Sequence, residues 1–412
     1  MTGLRSLLAI NSGSSSIKFG LYGADGSCRP LCSGVLDRIG SAKGRFAVTG
    51  MGGEMLADEP VGAAGHAEAG EIVFSWLRSN APAEPDAIGH RIVHGGHRHT
   101  ASEPVTQALL DSIEKLSPYA PEHLPGALQA VRRAQDVFPA CRQVLCFDTA
   151  FHHTMPSVAV TYPLPEPVRR EGVRRFGFHG LSYAWLLGEL ERSEVTLAVQ
   201  GRIILAHLGH GASMAAILNG MSIETSMGFS PAGGLVMSTR SGDLDPGVLL
   251  FLLEQHGMTP SGLKDLVNRR SGLIGLSGIS DDMRDLLEAS PHHPDAALAV
   301  DLFCYQAKKY IGSLAAVLGG LDKLVFTGGI GEQAPEIRRR ICEGLGFLGI
   351  VLDDRANLGN GPVISSGGGA VSVRVMKTNE EMMIVRETLR VLGACPQGEC
   401  FGNSATIPGE ES

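Results

Sequence analysis

The strongest constraint in this sequence is a plan that occurs twice. Residues 7–22, LLAINSGSSSIKFGLY, carry an apolar strand into a Gly/Ser-rich turn and out along a second strand. Leu7, Leu8, Ala9 and Ile10 form an apolar run of buried-strand length. Ile17, Phe19 and Leu21 alternate with Lys18, Gly20 and Tyr22, the period of a half-buried strand. Between them, Asn11 to Ser16 offer small side chains, backbone N–H groups and hydroxyls, the composition of loops that cradle phosphate. Residues 203–217, IILAHLGHGASMAAI, repeat the plan around a turn built on Gly209, Gly211 and Ser213. The Walker spacing G-x-x-x-x-G-K-[ST] is absent throughout, so an ordinary hairpin remains the alternative for either copy alone. Two copies together predict a duplicated domain in which each half supplies one phosphate loop.

At 412 residues the chain has room for two domains with separate cores. A hydrophobic content of 43% with 19% charged residues describes a soluble globular protein. The net charge of -8 argues against a nucleic-acid partner. No apolar run approaches a membrane span, and too little chain precedes Asn11 for a signal peptide. The eight cysteines include no C-x-x-C pair, which predicts reduced, mostly buried thiols in a cytoplasmic protein rather than a zinc site.

Along the chain, residues 23–70 read as an antiparallel extension with Gly turns, and Gly62 to Trp76 change to helical spacing. The strand in DAIGHRIVHGG ends at Gly95-Gly96 with His90, Arg91 and His94 around it. Arg91 is either a substrate contact at a strand end or a surface arginine. The histidines are either cleft groups or hydrogen-bonded core residues, and their spacing does not suit a metal. After the strand Val144 to Phe147, Asp148 is either a magnesium carboxylate or a helix N-cap. The Pro-rich stretch from Pro156 to Pro167 reads as the crossing to the second half. His179, in FGFHG, is either a donor to a phosphoryl oxygen or a satisfied core histidine. The loop SMGFSPAGGLVMSTRSGDLDP is too long and polar for a simple turn. Its Arg240 is a candidate anion clamp, with Asp243 and Asp245 as alternative ion-pair partners that hold it in place. Residues 247–257, 261–270, 281–289 and 295–318 have helical spacing. The strand Leu324-Val325-Phe326 enters a Gly turn and a helix, a place to receive adenosine, though its spacing is not G-x-G-x-x-G. Thr378 and Glu381 read as a capping box for a last helix, and residues 395–412 as a frayed tail.

The ordered motifs NSGSSSIKF, GHRIVHGG, FDTAFHHTMP, RRFGFHG, HLGHGAS, STRSGDLDP, FTGGIGE and TNEE resemble the acetate kinase family of the acetate and sugar kinase, heat-shock 70 and actin superfamily. The resemblance runs from Leu7 to about Leu392. It implies an α/β fold of two duplicated actin-like (ribonuclease H-like) domains with an interdomain nucleotide cleft. The first domain would span residues 1–150, completed by the helix at 381–392, and the second residues 151–380. The activity implied is reversible transfer of the ATP γ-phosphoryl group to acetate, with Mg2+ or Mn2+ as cofactor, in a homodimer. By the same resemblance, Arg91 and Arg240 would bind the carboxylate and neutralise the transferring group, and His179 would hydrogen-bond it. Asp148 and Glu380 would organise the metal, with Asn11 nearby. Ser14, Ser16 and Lys18 would form the first phosphate loop, and His207, Gly209, His210 and Gly211 the second. Gly329, Ile330 and Gly331 would line the adenosine site, and Val93, Phe178 and Pro231 the acyl pocket.

Three departures from the family pattern stand out. His210 replaces an asparagine, Glu122 and Leu124 replace a pocket leucine and an asparagine, and Met376-Lys377 precede TNEE where proline is usual. A propionate or butyrate kinase would keep the phosphate chemistry and change the pocket walls. A non-kinase ATPase or binding module on the same fold is the reading from another class.

Overall fold

A computed structural model describes residues 4–13, 15–24, 28–41, 43–193 and 199–394. Ser14 and the tail 395–412 lie outside the described residues. The described residues divide into two units, one within residues 1–92, 101–147 and 380–412, the other within residues 93–100 and 148–379.

Unit 1 is built on β1 (Ser6–Ser12), β2 (Ile17–Gly23), β3 (Pro30–Asp37), β4 (Arg45–Gly50), β5 (Met55–Pro60), β6 (Ala87–Ile92), β7 (Glu103–Pro104) and β8 (Arg142–Phe147). They form one sheet in the order β5-β4-β3-β2-β1-β6-β8-β7. The first five strands pair antiparallel as a meander, while β6 and β8 run parallel to β1. β1 is buried at every position, as its unbroken apolar run requires for a central strand. Helices His66–Asn80 and Leu124–Val137 pack together, and Phe19, Phe46 and Trp76 cluster in the core against the meander. The C-terminal helix Glu380–Val391 belongs to this unit and packs on β1, β6 and β8. Gly89 makes that approach feasible: a Cβ there would meet Thr388 Oγ1 at 2.2 Å and Ile384 Cγ2 at 2.5 Å.

Unit 2 holds β9 (Arg202–Leu208), β10 (Ala212–Leu218), β11 (Met221–Thr225), β12 (Lys323–Thr327) and β13 (Ser372–Val375), in the order β11-β10-β9-β12-β13. β9, β10 and β11 form an antiparallel meander, and β12 and β13 run parallel to β9. This is the connectivity of β3-β2-β1-β6-β8, so the duplication read from the two strand–turn–strand copies is present in the fold. Tyr183, Leu186 and Leu190 of the helix Gly180–Ser193 pack with Ile203, Leu205, Ala215 and Val325. The long helix Pro294–Leu318 buries Ala299, Phe303, Ala307, Ile311 and Leu314, a stripe at helical spacing, and packs on β9 and β10.

Several sequence expectations change. The helices Gly180–Ser193 and Gly272–Ser277 stand where no element was predicted, as do the short helices Ser157–Val160, Glu166–Arg170 and Asp354–Leu358. The capping box at the last helix does not form. Thr378 Oγ1 instead pairs with Ser182 Oγ at 2.8 Å, and Glu381 Oε1 accepts from Asn11 Nδ2 at 3.0 Å. Tertiary partners outcompete the local motif at both residues.

Candidate active site

In unit 1 the candidate residues gather at the end of β1. Asn11 is 6% exposed, and the parallel pairing of Ile10 with His90 sets it beside Arg91. Arg91 Nη1 donates to Asn11 Oδ1 at 3.2 Å. Asn11 Nδ2 donates to Glu380 Oε2 at 2.9 Å and to Glu381 Oε1 at 3.0 Å. One amide therefore joins a guanidinium to two carboxylates, and both kinds of charge meet at the same strand end. Arg91 is thus neither a bare surface arginine nor remote from the loop. The turn beyond closes through Gly13 N–H to Ser16 O at 2.8 Å, and His66 Nε2 bonds Gly13 O at 2.7 Å. Lys18 faces Asn11 across the β1–β2 ladder and is exposed, and Ser16 is partly exposed. His90 is a core residue bonded through Nε2 to Gln143 Oε1 at 2.9 Å. Burial holds its pKa down at about 4, so it stays neutral.

In unit 2 the corresponding turn, residues 209–211, closes through Gly209 N–H to Gly211 O at 3.1 Å. His179 sits at the head of the helix Gly180–Ser193 with φ of +60°, a left-handed conformation uncommon for histidine. Its neighbour must be glycine, because a Cβ on Gly180 would lie 2.0 Å from Asp148 O. His179 stacks on His207, centroids 4.2 Å apart and planes 18° from parallel. Both imidazoles are held from behind by serines: His179 Nδ1 meets Ser213 Oγ at 2.9 Å, and His207 Nδ1 meets Ser182 Oγ at 2.9 Å.

Gly211 shows where the front edges point. A Cβ there would stand 3.3 Å from His179 Nε2 and 3.5 Å from Arg240 Nη1. An imidazole and a guanidinium thus converge on one small space that the missing side chain leaves open. Arg240 Nη1 also donates to Pro231 O at 3.2 Å, which ties the arginine to the 226–246 loop. Asp243 and Asp245 have other tasks. Asp243 accepts from Gly234 N–H at 2.7 Å and from the Tyr310 hydroxyl, and Asp245 caps the helix Pro246–Glu254 by accepting from Gly247 N–H at 2.6 Å.

Asp148 follows β8 directly, is fully buried, and opens the short 3-10 helix Asp148–Thr154. His152 Nε2 bonds Phe178 O at 3.1 Å while its Nδ1 bonds Ser222 Oγ at 2.8 Å. A carbonyl only accepts, so Nε2 carries the proton and Ser222 donates to Nδ1. Phe178 packs against His94, centroids 5.7 Å apart, and His94 against Phe176 at 4.4 Å. Val93 and Pro231 are likewise buried in unit 2. Burial holds His94 and His152 at about 4, neutral like the ring of His90.

A cavity of about 560 Å³ in unit 2 is lined by Gly209, His210, Ser238, Gly329, Ile330, Gln333 and Ala334, closed on another side by Asp281–Arg284 and Leu287. It joins the second turn to the Gly turn after β12, which sequence reading had assigned separately. His210 Nε2 lies 3.4 Å from Asp281 Oδ2. Desolvation, with the Arg240 charge next, holds His210 below the usual histidine range. Gly331 packs behind the cavity wall, and its carbonyl accepts from Arg338 Nη1 at 2.8 Å. Arg338 is wholly buried, and its other acceptors are Glu332 O, Asn357 O and the side-chain oxygens of Asn357 and Asn360, at 2.6–3.0 Å. The sequence reading missed Ser182, Tyr183, Arg338 and the wall at Asp281–Arg284, and it named Ser213 only as part of the second turn. Of those missed, only the wall left a signal, a charged cluster DDMR opening a helix.

Among the described residues, no group of three His, Cys, Asp or Glu side chains gathers as a metal cage. The oxygens of Asn11 and Glu380 in unit 1, like those of Asp148 in unit 2, are hard donors of the kind that magnesium takes together with water and phosphate. No helix among the described residues is long and apolar enough to cross a membrane.

A family model described as the Acetokinase family matches residues 6–386. An acetate kinase of Rhodopseudomonas palustris is 43% identical over 393 residues, covering 93% of this chain and 98% of the relative. A crystal structure of Porphyromonas gingivalis acetate kinase matches with a TM-score of 0.83 at 38% identity, covering 94% of this chain and 99% of that one. A propionate kinase from Francisella tularensis matches with a TM-score of 0.86 at 33% identity, covering 94% and 99%.

Proposed function

Because the chain belongs to the acetokinase family, and is a phosphotransferase of that family, we propose that it moves the γ-phosphoryl group of ATP to acetate. A carboxylate oxygen attacks the γ-phosphorus in line, the bond to the β,γ-bridging oxygen breaks, and acetyl phosphate and ADP leave; the reaction runs in both directions. The observation that carries this reading is the convergence of His179 Nε2 and Arg240 Nη1 on the space in front of Gly211.

The chemistry explains why cations are needed. Acetate is already ionised at pH 7, so no strong base is required. Two unit negative charges about 4 Å apart repel by roughly 4 kcal/mol at an effective dielectric of 20. Arg91 and Arg240 offset that repulsion, and a planar guanidinium can hold a carboxylate or phosphoryl edge through two hydrogen bonds. His179 donates to the phosphoryl group. Asp148 and Glu380, with Asn11, would hold Mg2+ or Mn2+, which when bound neutralises charge on the phosphates. Ser16 and Lys18 serve the first phosphate loop; His207, Gly209, His210 and Gly211 serve the second. Gly329 and Ile330, with Gly331 behind them, receive adenosine in the 560 Å³ cavity, whose apolar wall of Met283, Leu287 and Ala334 suits a base. Val93, Phe178 and Pro231 wall the acyl group.

Acyl hydroxamate formation with ATP and magnesium tests this across acetate, propionate and butyrate. Acetate should give the highest kcat/KM. Preference for propionate would shift the reading to the neighbouring activity that the Francisella tularensis structure represents. ATP hydrolysis with no carboxylate acceptor would overturn both.

The protein acts as a homodimer in the cytoplasm. Free thiols at all six described cysteines support the compartment. The helix Pro246–Glu254, PGVLLFLLE, buries no residue, and Val248, Leu250 and Phe251 are 43%, 55% and 53% exposed. A second copy covering this face accounts for so apolar an unburied helix. Phe251→Glu should convert a dimer to a monomer in light scattering; a wild-type monomer would refute the assignment.

A further inference from the structure

We propose that Tyr183 and Ser213 are positioning residues that fix His179 as the tautomer with its proton on Nε2. The inference deepens the reading above, in which His179 donates a hydrogen bond to the phosphoryl group. An imidazole can do that from Nε2 only if the proton sits there and not on Nδ1.

The three side chains form one buried line. Tyr183 and Ser213 are fully buried and His179 is 9% exposed. Tyr183 OH lies 2.5 Å from Ser213 Oγ, and Ser213 Oγ lies 2.9 Å from His179 Nδ1. The sequence builds the line from two elements. Tyr183 is one helical turn after His179, and its N–H donates to His179 O at 3.0 Å. Ser213 is the second residue of β10, paired in register with His207 of β9. The helix therefore holds the backbone of His179 while the strand holds its ring.

Each hydroxyl has one proton, so the line has a direction. A phenol is a much stronger donor than an aliphatic alcohol, and an imidazole nitrogen is a stronger acceptor than a hydroxyl oxygen. The favoured order is Tyr183 O–H to Ser213 Oγ, then Ser213 O–H to His179 Nδ1. With Nδ1 occupied as an acceptor, the ring carries its proton on Nε2, the atom 3.3 Å from the Cβ position of Gly211.

Removing the phenol proton tests the direction. In Tyr183→Phe, Ser213 Oγ loses its donor and becomes free to accept from Nδ1–H, so a second tautomer should populate. Histidine labelled with 15N in the full-length protein, with the His179 signals assigned by His179→Gln, reads this without any turnover. The wild type should show an unprotonated Nδ1 and a protonated Nε2, and Tyr183→Phe should show a mixture. In parallel, kcat for acyl phosphate formation should fall roughly three- to tenfold in Tyr183→Phe with KM for ATP and acetate within about twofold, less than loss of a whole donor would give. Ser213→Ala should show the same kcat loss. In a His179→Ala background, Tyr183→Phe should add nothing. A proton on Nδ1 in the wild type, an unchanged spectrum in Tyr183→Phe, or multiplicative losses in the double variant would each overturn the proposal. Absence of acyl phosphate formation would count against the assigned reaction and leave the tautomer result standing.

Discussion

The β1–β2 turn and the β9–β10 turn occupy the same place in two sheets of the same connectivity, yet their chemistry differs. The first is four residues long and rich in hydroxyls; the second is three residues, Gly-His-Gly. Two positions before the first glycine, unit 1 has Asn11 and unit 2 has His207. Asn11 spends its amide on joining Arg91 to Glu380 and Glu381. His207 instead stacks on His179, next to the space shared with Arg240. Backbone topology is thus retained while the groups at the turn diverge. The strand pattern specifies the ladder, and the ladder leaves the turn free to carry different side chains.

The largest test of this contrast removes the guanidinium from each side. Arg240→Ala and Arg91→Ala should each lower kcat about a thousandfold with unchanged circular dichroism, in the range reported for losing an arginine that stabilises phosphoryl transfer. If Arg91→Ala raised only KM for acetate, unit 1 would bind substrate while unit 2 alone served the transition state. Near-normal turnover in either variant would remove its role.

A smaller effect compares the turns themselves. Gly211→Ala puts a methyl group 3.3 Å from His179 Nε2, in the proposed phosphoryl space, and should cost about a hundredfold in kcat. Ser16→Ala deletes one hydroxyl from a turn that keeps its backbone donors, and should cost about tenfold or less. Equal losses would mean that the two turns are functionally equivalent despite their composition.

The smallest effect is on stability. His94 and His152 in unit 2 and His90 in unit 1 are each held at about 4 by burial, against an ordinary value of 6.5. Between those values the unfolded chain binds protons that the folded state refuses. Stability is therefore full above about pH 6.5 and falls as pH drops towards 4, by about 1.4 kcal/mol per pH unit for each such histidine. Unit 2, with two, should lose hydrogen-exchange protection faster than unit 1 between pH 7 and 5. A flat profile over that range would show that the rings are not buried neutral.

Much of this fold is legible in the residues. The apolar run at Leu7–Ile10, the alternation at Ile17–Leu21 and the stripe on residues 295–318 each specify one element through local periodicity. The grouping of Gly209 with Gly329 and Ile330 is not local, because it depends on β9 and β12 lying side by side. Ser213 reads only as part of the second turn and Tyr183 gives no signal, since nothing near either in sequence names its partner. Thr378 and Glu381 misled because a local capping pattern carried no trace of Ser182 and Asn11, which lie far away along the chain.

Arg338 has a consequence for how this region assembles. A positive group shut away from water among uncharged oxygens gains little from any one of them, and stranding it would cost several kcal/mol. The 331–332 carbonyls and the 357–360 segment are therefore bound to form together or not at all, an all-or-none clasp with no stable halfway state.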